Sequence, residues 1–369
     1  MAVYRSVEKP MVGAGAHDGP SPIDQNMLSD MCFFGASKAP PPTDGFLKHP
    51  DKPKFETESN MKTTLTAYAK INLFLDITSR RPDGYHEISG VMQSISLCDT
   101  VTLEVTEPTG MYLCSLAAHT AGAESITLTC SNPDLPTDSR NLAWRAAEAF
   151  FAATGRGCKN LLIHIEKRIP AAAGMAGGST NAAAVLVGLN GLFDRPLTAD
   201  QLCEVGLKLG ADVPFCIRGG AMITEGIGEV LTPITPMPAC ELVVACGGEG
   251  VSTPAAYKAL DTLYGSFDPA AYTPHTAGLK TLKSALWQGD LTTLCGSVFN
   301  LFETVVLPDR PVARQIKETL LASGAITAMM SGSGPSVFGV FPKGDGAAQR
   351  ARDALTALGI PAWVCEPVG

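Results

Sequence analysis

Charge is scarce in this chain. Asp, Glu, Lys and Arg make up 17% of its 369 residues, and the balance is acidic, with a net charge of -8. With a pI near 5.3, the chain lacks the basic face that gathers nucleic-acid phosphates, so no nucleic-acid partner is expected. A phosphorylated small ligand stays open, since a few local donors suffice to hold it. No apolar run approaches the roughly 18 residues of a membrane span, so no membrane partner is expected. No basic stretch followed by an apolar core opens the chain, so no secretory signal is expected. The 11 cysteines form no CxxC pair, and Cys240 and Cys246 lie closest together. An odd count without pairing reads as reduced, mostly buried thiols in a cytoplasmic protein. The six histidines show no HxH or HxxxH spacing, so no structural metal site is expected. GxxxxGK(S/T) and GxGxxG are both missing. A Walker A loop and a Rossmann fingerprint are therefore excluded.

Apolar residues are plentiful at 45%, enough for a sizeable core, and the length allows two domains. Residues 1–60 differ from the rest. They hold 8 of the 27 prolines and no sustained periodicity, and such a segment buries too little apolar area to offset its ordering entropy. They are expected to form a disordered N-terminal extension. Their eight acidic residues against six basic ones do not suit a transit peptide. Met61 opens a strand-like pattern at once and is expected to be the native start.

From Met61 the pattern predicts strands at 64–68, 71–78, 88–97, 100–106 and 161–169. A helix is predicted over 139–153 with Ser139 as its cap. The loop 170–178 leads into a helix over 179–193, and Thr198 opens another over 198–209. Short strands follow at 213–217, 221–225 and 229–231. The proline cluster at 233–238 marks a domain boundary, which divides the chain into 61–235 and 236–369. The second part reads as a strand at 241–245, helices at 254–264, 276–288, 291–303 and 311–323, strands at 325–330 and 337–341, a helix at 346–358 and a strand at 361–365. The recurring β-α-β pattern predicts an α+β fold.

The loop reads PAAAGMAGGSTNAAA over residues 170–184 and runs from a strand into a helix. Small residues let backbone N–H groups approach a ligand closely, and the helix N-terminus favours phosphate. The same composition also suits a tight strand-to-helix turn. Alanine disfavours positive φ, so Ala172, Ala173 and Ala176 are expected at negative φ. Lys70 and Asn72 lie two apart on one face of an otherwise apolar strand; a solvated strand-end lysine is the plainer alternative. Asp83-Gly84 marks a turn from which Tyr85 and His86 project, though such residues are often ordinary surface. Asp212 sits between a helix end and an apolar segment. It could serve as a general base toward a hydroxyl or as a turn or capping carboxylate. SGSGPS at 331–336 is a second Gly/Ser turn, weak as an isolated pattern.

Together, AKINLFL at 69–75, RPDGYHEI at 81–88, IPAAAGMAGGSTNAAA at 169–184, LGADVPF at 209–215 and SGSGPSVF at 331–338 resemble the GHMP kinase superfamily. Within it they resemble the 4-diphosphocytidyl-2-C-methyl-D-erythritol kinases, over residues 63–365. AKINLFL with DGYH is specific to that family; the loop and the SGSG turn are shared across the superfamily. The resemblance implies a two-domain GHMP kinase fold, with an N-terminal domain like ribosomal protein S5 domain 2 and a ferredoxin-like C-terminal domain. It implies ATP and Mg²⁺ as cofactors, a cytidine-diphosphate small-molecule substrate, and a monomer or weak homodimer. Lys70 and Asp212 match the catalytic pair, Asp212 taking the proton from the substrate 2-hydroxyl and Lys70 stabilising the developing charge. ATP would lie on Pro170, Ala171, Ala172, Ala173, Gly174, Met175, Ala176, Gly177, Gly178, Ser179 and Thr180, with Asn141 on the adenine side. Asn72, Tyr85, His86, Thr253 and Tyr257 match the substrate site, with Tyr85 and Tyr257 on the two faces of the cytosine and His86 at its edge. Asn181 stands where some members carry Asp, which counts against a metal-holding role there. Another GHMP kinase with a different alcohol, or a non-catalytic nucleotide binder, remains an alternative.

Overall fold

The structure is a computed structural model that describes residues 60–109 and 122–369. The expected disordered extension at 1–60 therefore lies, up to residue 59, outside the described residues. In chain order the first lobe comprises β1 (Asn60–Arg80), β2 (His86–Thr109), β3 (Gly122–Cys130), α1 (Leu142–Thr154), β4 (Gly157–Glu166), α2 (Gly177–Leu192), α3 (Ala199–Leu207), α4 (Val213–Arg218), β5 (Ala221–Glu225) and β6 (Val230–Pro233). There follow β7 (Glu241–Ala245), α5 (Thr253–Leu263), α6 (Thr276–Gln288), α7 (Leu291–Cys295), β8 (Phe299–Asn300), α8 (Glu303–Val306) and α9 (Pro311–Ala322). The chain closes with β9 (Thr327–Met330), β10 (Val337–Phe341), α10 (Ala347–Ala357) and β11 (Ala362–Cys365).

Among the described residues two sheets form. One runs β3-β4-β2-β1-β8, with β5 and β6 branching from β2; the other runs β11-β7-β10-β9. The second sheet is antiparallel throughout. With α9 between β7 and β9, and α10 between β10 and β11, it has the ferredoxin-like β-α-β-β-α-β layout.

Strand β1 ties the molecule together. Its first half alternates exposed and buried residues, the period-2 signature of a sheet with one wet face. From Ala69 to Ile77 every residue is buried, because elements cover both faces. Leu65 and Ala67 pack under the helices of the first lobe, Ile71 and Leu73 lie between the sheets, and Leu75 and Ile77 join the second core. Helix α2 is the central helix of the first lobe and is buried almost all round. Gly188 lets it sit close on the sheet: a Cβ there would lie 2.7 Å from Leu65 and 2.6 Å from Leu103.

Several sequence expectations change. Residues 64–68 and 71–78 form one strand, interrupted by register shifts at Tyr68/Ala69 and Asn72/Phe74 that break the alternation. The strand expected at 213–217 is helix α4. Its apolar run is too short for periodicity to decide, and Pro214 suits a helix's first turn. The helix expected over 291–303 splits into α7, β8 and α8: it stops at Gly296, and the next residues pair in parallel with β1 at Phe74 and Leu75. The cap of α1 is Asn141, not Ser139.

Candidate active site

A cavity of about 1220 Å³ opens between the α2 end of the first lobe and the start of α5. Typical small-ligand pockets span roughly 300–1,000 Å³, so this one has room for two substrates side by side. One part is walled by the glycine- and alanine-rich loop, the other by Tyr85, His86 and Tyr257, and Lys70, Asn72 and Asp212 also line it.

The loop wall is built from strained backbone. Ala172 has φ 50, Gly174 φ 74, and Ala176, the N-cap of α2, φ 58. The expectation of negative φ thus holds for neither Ala172 nor Ala176. Non-glycine residues occupy this region only where surrounding contacts over-determine the chain. One such contact is the SGSG turn, where Ser331 Oγ donates to Gly174 O at 3.1 Å. Asn300 braces that turn, its Nδ2 donating to Met330 O and Gly332 O at 2.7 and 2.8 Å. Helix α2 has no side-chain cap, so its first-turn N–H groups remain to be satisfied and its positive end faces the cavity.

Lys70 lies beside this wall: its backbone N–H donates to Met175 O at 3.2 Å. The β1 register shift at Tyr68/Ala69 falls just before it, a device that re-aims side chains next to functional sites. The ammonium is buried, donates to Asn72 Oδ1 at 2.6 Å, and lies 3.8 Å from Asp212 Oδ2. This excludes the solvated strand-end reading. Asp212 occupies the N-cap position of α4 but makes no capping hydrogen bond, and its side chain keeps 36% exposure. Its carboxylate is therefore free to face a ligand. Burial, reinforced by the charge of Asp212, pushes the Tyr257 phenol up to about 12.

At the aromatic end Tyr85 is 61% exposed, unusual for so large a ring. His86 is buried and shares a close contact with Asp261 Oδ1, at 2.8 Å from its Nε2. Its ring stacks on Tyr257 at 4.6 Å, and Tyr257 in turn meets Phe302 edge-on at 4.9 Å. Thr253 Oγ1 and Ser333 Oγ are 2.8 Å apart, which links α5 to the SGSG turn.

Ala172, Ala173, Gly174, Ala176, Gly177, Gly178, Ser179 and Thr253 also line the cavity. Pro170, Ala171, Met175, Thr180 and Asn141 do not belong to its lining. Met175 is core, and the Thr180 hydroxyl is buried against the Cys216 thiol. Asn141 uses its carboxamide locally: Oδ1 accepts from Ala143 N at 3.0 Å and Nδ2 donates to Pro136 O at 2.8 Å. Arg80, Asp261 and Phe302 line the cavity beyond the residues the sequence pointed to. Asp261 was within reach, since it lies one helical turn beyond Tyr257 and so on the same face of α5.

Among the described residues no cysteine lines the cavity. Burial pushes the Cys240, Cys295 and Cys365 thiols up to about 12; it also raises Cys216, with Asp212 adding to the effect and Lys70 and Thr180 opposing it. A raised thiol stays protonated at neutral pH, and only the thiolate is nucleophilic. Catalytic activity should therefore survive iodoacetamide at neutral pH; inactivation with the label mapped to Cys216 would contradict this.

Residues 141–220 match the family described as GHMP kinases N terminal domain, and residues 281–360 match GHMP kinases C terminal. Solved structures share the fold at low identity: L. major mevalonate kinase at TM-score 0.62 and 18% identity, and a Cytophaga hutchinsonii homoserine kinase at 0.60 and 17%. Fold and loop thus place the chain in the GHMP kinase class. The 4-diphosphocytidyl-2-C-methyl-D-erythritol kinase of Alkaliphilus metalliredigens is 42% identical over 80% of this chain and 92% of its own length. That of a Synechococcus strain is also 42% identical, over 79% and 89%. A crystal structure of 4-(cytidine 5'-diphospho)-2C-methyl-D-erythritol kinase matches at TM-score 0.66 and 31% identity, covering 83% of this chain and 100% of that one. The chain belongs to the 4-diphosphocytidyl-2-C-methyl-D-erythritol kinase family.

Proposed function

We propose that this kinase transfers the γ-phosphate of ATP to the 2-hydroxyl of 4-diphosphocytidyl-2-C-methyl-D-erythritol. The observation that carries this reading is the single cavity that joins an uncapped helix N-terminus to an aromatic end, with Lys70 and Asp212 on the same wall. Phosphoryl transfer needs mainly positioning and charge stabilisation. The α2 end and loop amides hold the nucleotide phosphates, and the Ser179 hydroxyl adds a donor. Asp212 takes the proton from the attacking hydroxyl. Lys70, held by Asn72, stabilises charge on the oxygens being exchanged. Mg²⁺ accompanies the nucleotide, and among the described residues no cluster of three or more His, Cys, Asp or Glu forms a dedicated metal cage. Ser179 is the oxygen ligand the loop would offer such an ion, with phosphates and water completing its shell. The ion would supply charge to neutralise the phosphates.

Tyr85 stacks on the cytosine from the solvent side, Tyr257 and His86 close the inner side, and Thr253 holds the same segment in place. The domains at 61–235 and 236–369 divide these tasks, the first carrying the nucleotide and the second part of the substrate wall. A base stacked on an aromatic ring gains about 1–3 kcal/mol. Tyr85→Ala should therefore raise KM for the cytidyl substrate between several-fold and about a hundredfold, with KM for ATP unchanged. Equal movement of both constants would show that Tyr85 does not stack on the base.

A further inference from the structure

Beneath the phosphate loop lies a buried ionic cluster that the proposed chemistry does not use. Asp99, on β2, is fully buried, and its carboxylate accepts four hydrogen bonds. Oδ1 receives the backbone N–H groups of Arg168 and Ile169 at 2.7 and 2.8 Å. Oδ2 receives Lys167 Nζ at 2.6 Å and Asn181 Nδ2 at 2.8 Å. Lys167 also donates to Ile169 O at 2.7 Å.

These donors sit on both sides of the loop. Lys167, Arg168 and Ile169 form its entry from β4, and Asn181 lies in α2 just past its exit. The lysine reaches the loop as well: a Cβ on Gly177 would lie 2.9 Å from Lys167 Nζ. One carboxylate therefore fixes the separation between the end of β4 and the N-terminus of α2, and the strained segment spans that separation. An unconstrained loop would relax from positive φ at Ala172 and Ala176. A buried polar network with every lone pair engaged rigidifies the segments that supply its donors.

We infer that Asp99 is a positioning residue for the nucleotide phosphates, acting through Lys167, Asn181 and the Arg168 and Ile169 amides to hold the loop in its phosphate-accepting shape. The inference rests on the proposed reading, with the loop taking the nucleotide phosphates and the aromatic end the cytidyl group. It is tested by calorimetric titration of the full chain with a non-hydrolysable ATP analogue, with AMP and with CDP, for wild type, Asp99→Asn and Asn181→Ala. Misplacing reacting or binding groups by about 1 Å can cost up to about 10²-fold, so Asp99→Asn should bind the triphosphate analogue at least about tenfold more weakly. AMP should lose less than the triphosphate, and CDP should bind as in wild type.

Asn181→Ala keeps the Lys167–Asp99 pair and should show the same pattern at smaller amplitude. It carries the test if Asp99→Asn fails to fold. A merely structural role would lower melting temperature without changing the ratio of triphosphate to AMP affinity. Unaltered triphosphate binding in a folded variant, or equal weakening of all three ligands, overturns the inference. Wild-type protein that binds CDP but not the analogue overturns the nucleotide reading and the inference with it.

Discussion

Asp212→Asn should lower kcat by roughly 10²–10⁴, the usual contribution of a positioned general base, while binding of a non-hydrolysable ATP analogue stays intact. The substitution preserves shape and removes the proposed proton acceptor. Little else should change, because Asp212 makes no capping bond to α4 and keeps 36% of its side chain exposed. Lys70 loses one partner at 3.8 Å and retains Asn72 at 2.6 Å, so its buried charge is not stranded. Breaking a fully buried pair costs about 3–5 kcal/mol; a half-open pair with a second acceptor should cost far less, and melting temperature should fall little. Near-normal turnover would remove Asp212 as the base.

Gly174→Ala should damage nucleotide binding more than any other single-methyl change in the loop. The new Cβ would lie 2.1 Å from Ser331 O and 3.2 Å from Gly334 N, both backbone atoms that no rotamer change can move aside. Gly174 also has φ 74, a conformation side chains disfavour. The loop must separate from the SGSG turn, and the Ser331–Gly174 hydrogen bond is lost. A displacement of about 1 Å at a phosphate cradle can cost about 10²-fold, so KM for ATP should rise by more than an order of magnitude. Unchanged KM for ATP would mean that the loop binds the nucleotide without its contact to the second lobe.

Much of this site was legible because its chemistry is written in short, contiguous segments. Lys70 and Asn72 are two apart on one strand, and the loop announces a strand-to-helix turn by composition. Helix α6 came out with its limits intact because Gly289, at φ 69, ends it. Strands β5, β7 and β10 were equally clear from their β-branched and apolar runs. What failed depended on tertiary contacts. Residues 299–300 are a strand only because β1 offers an edge, and Asn300 then turns to brace the SGSG loop. Positive φ at Ala172 and Ala176 contradicts local preference and is imposed from outside the loop. Asn141, matched to the adenine side by resemblance alone, uses its carboxamide to cap α1, a role its residue type favours. Asp99 lies far from the loop in sequence, and only the pairing of β2 with β4, Thr100 beside Glu166, brings it beneath.

The most direct measurement is a reaction of wild-type protein with ATP, Mg²⁺ and 4-diphosphocytidyl-2-C-methyl-D-erythritol, with ADP counted and the product located by phosphorus NMR. Mevalonate, homoserine and galactose serve as parallel acceptors. The expected result is one ADP per product, a new phosphomonoester on the 2-hydroxyl, and no comparable turnover of the other three. Phosphorylation of one of those three, with none of the cytidyl alcohol, would contradict the account.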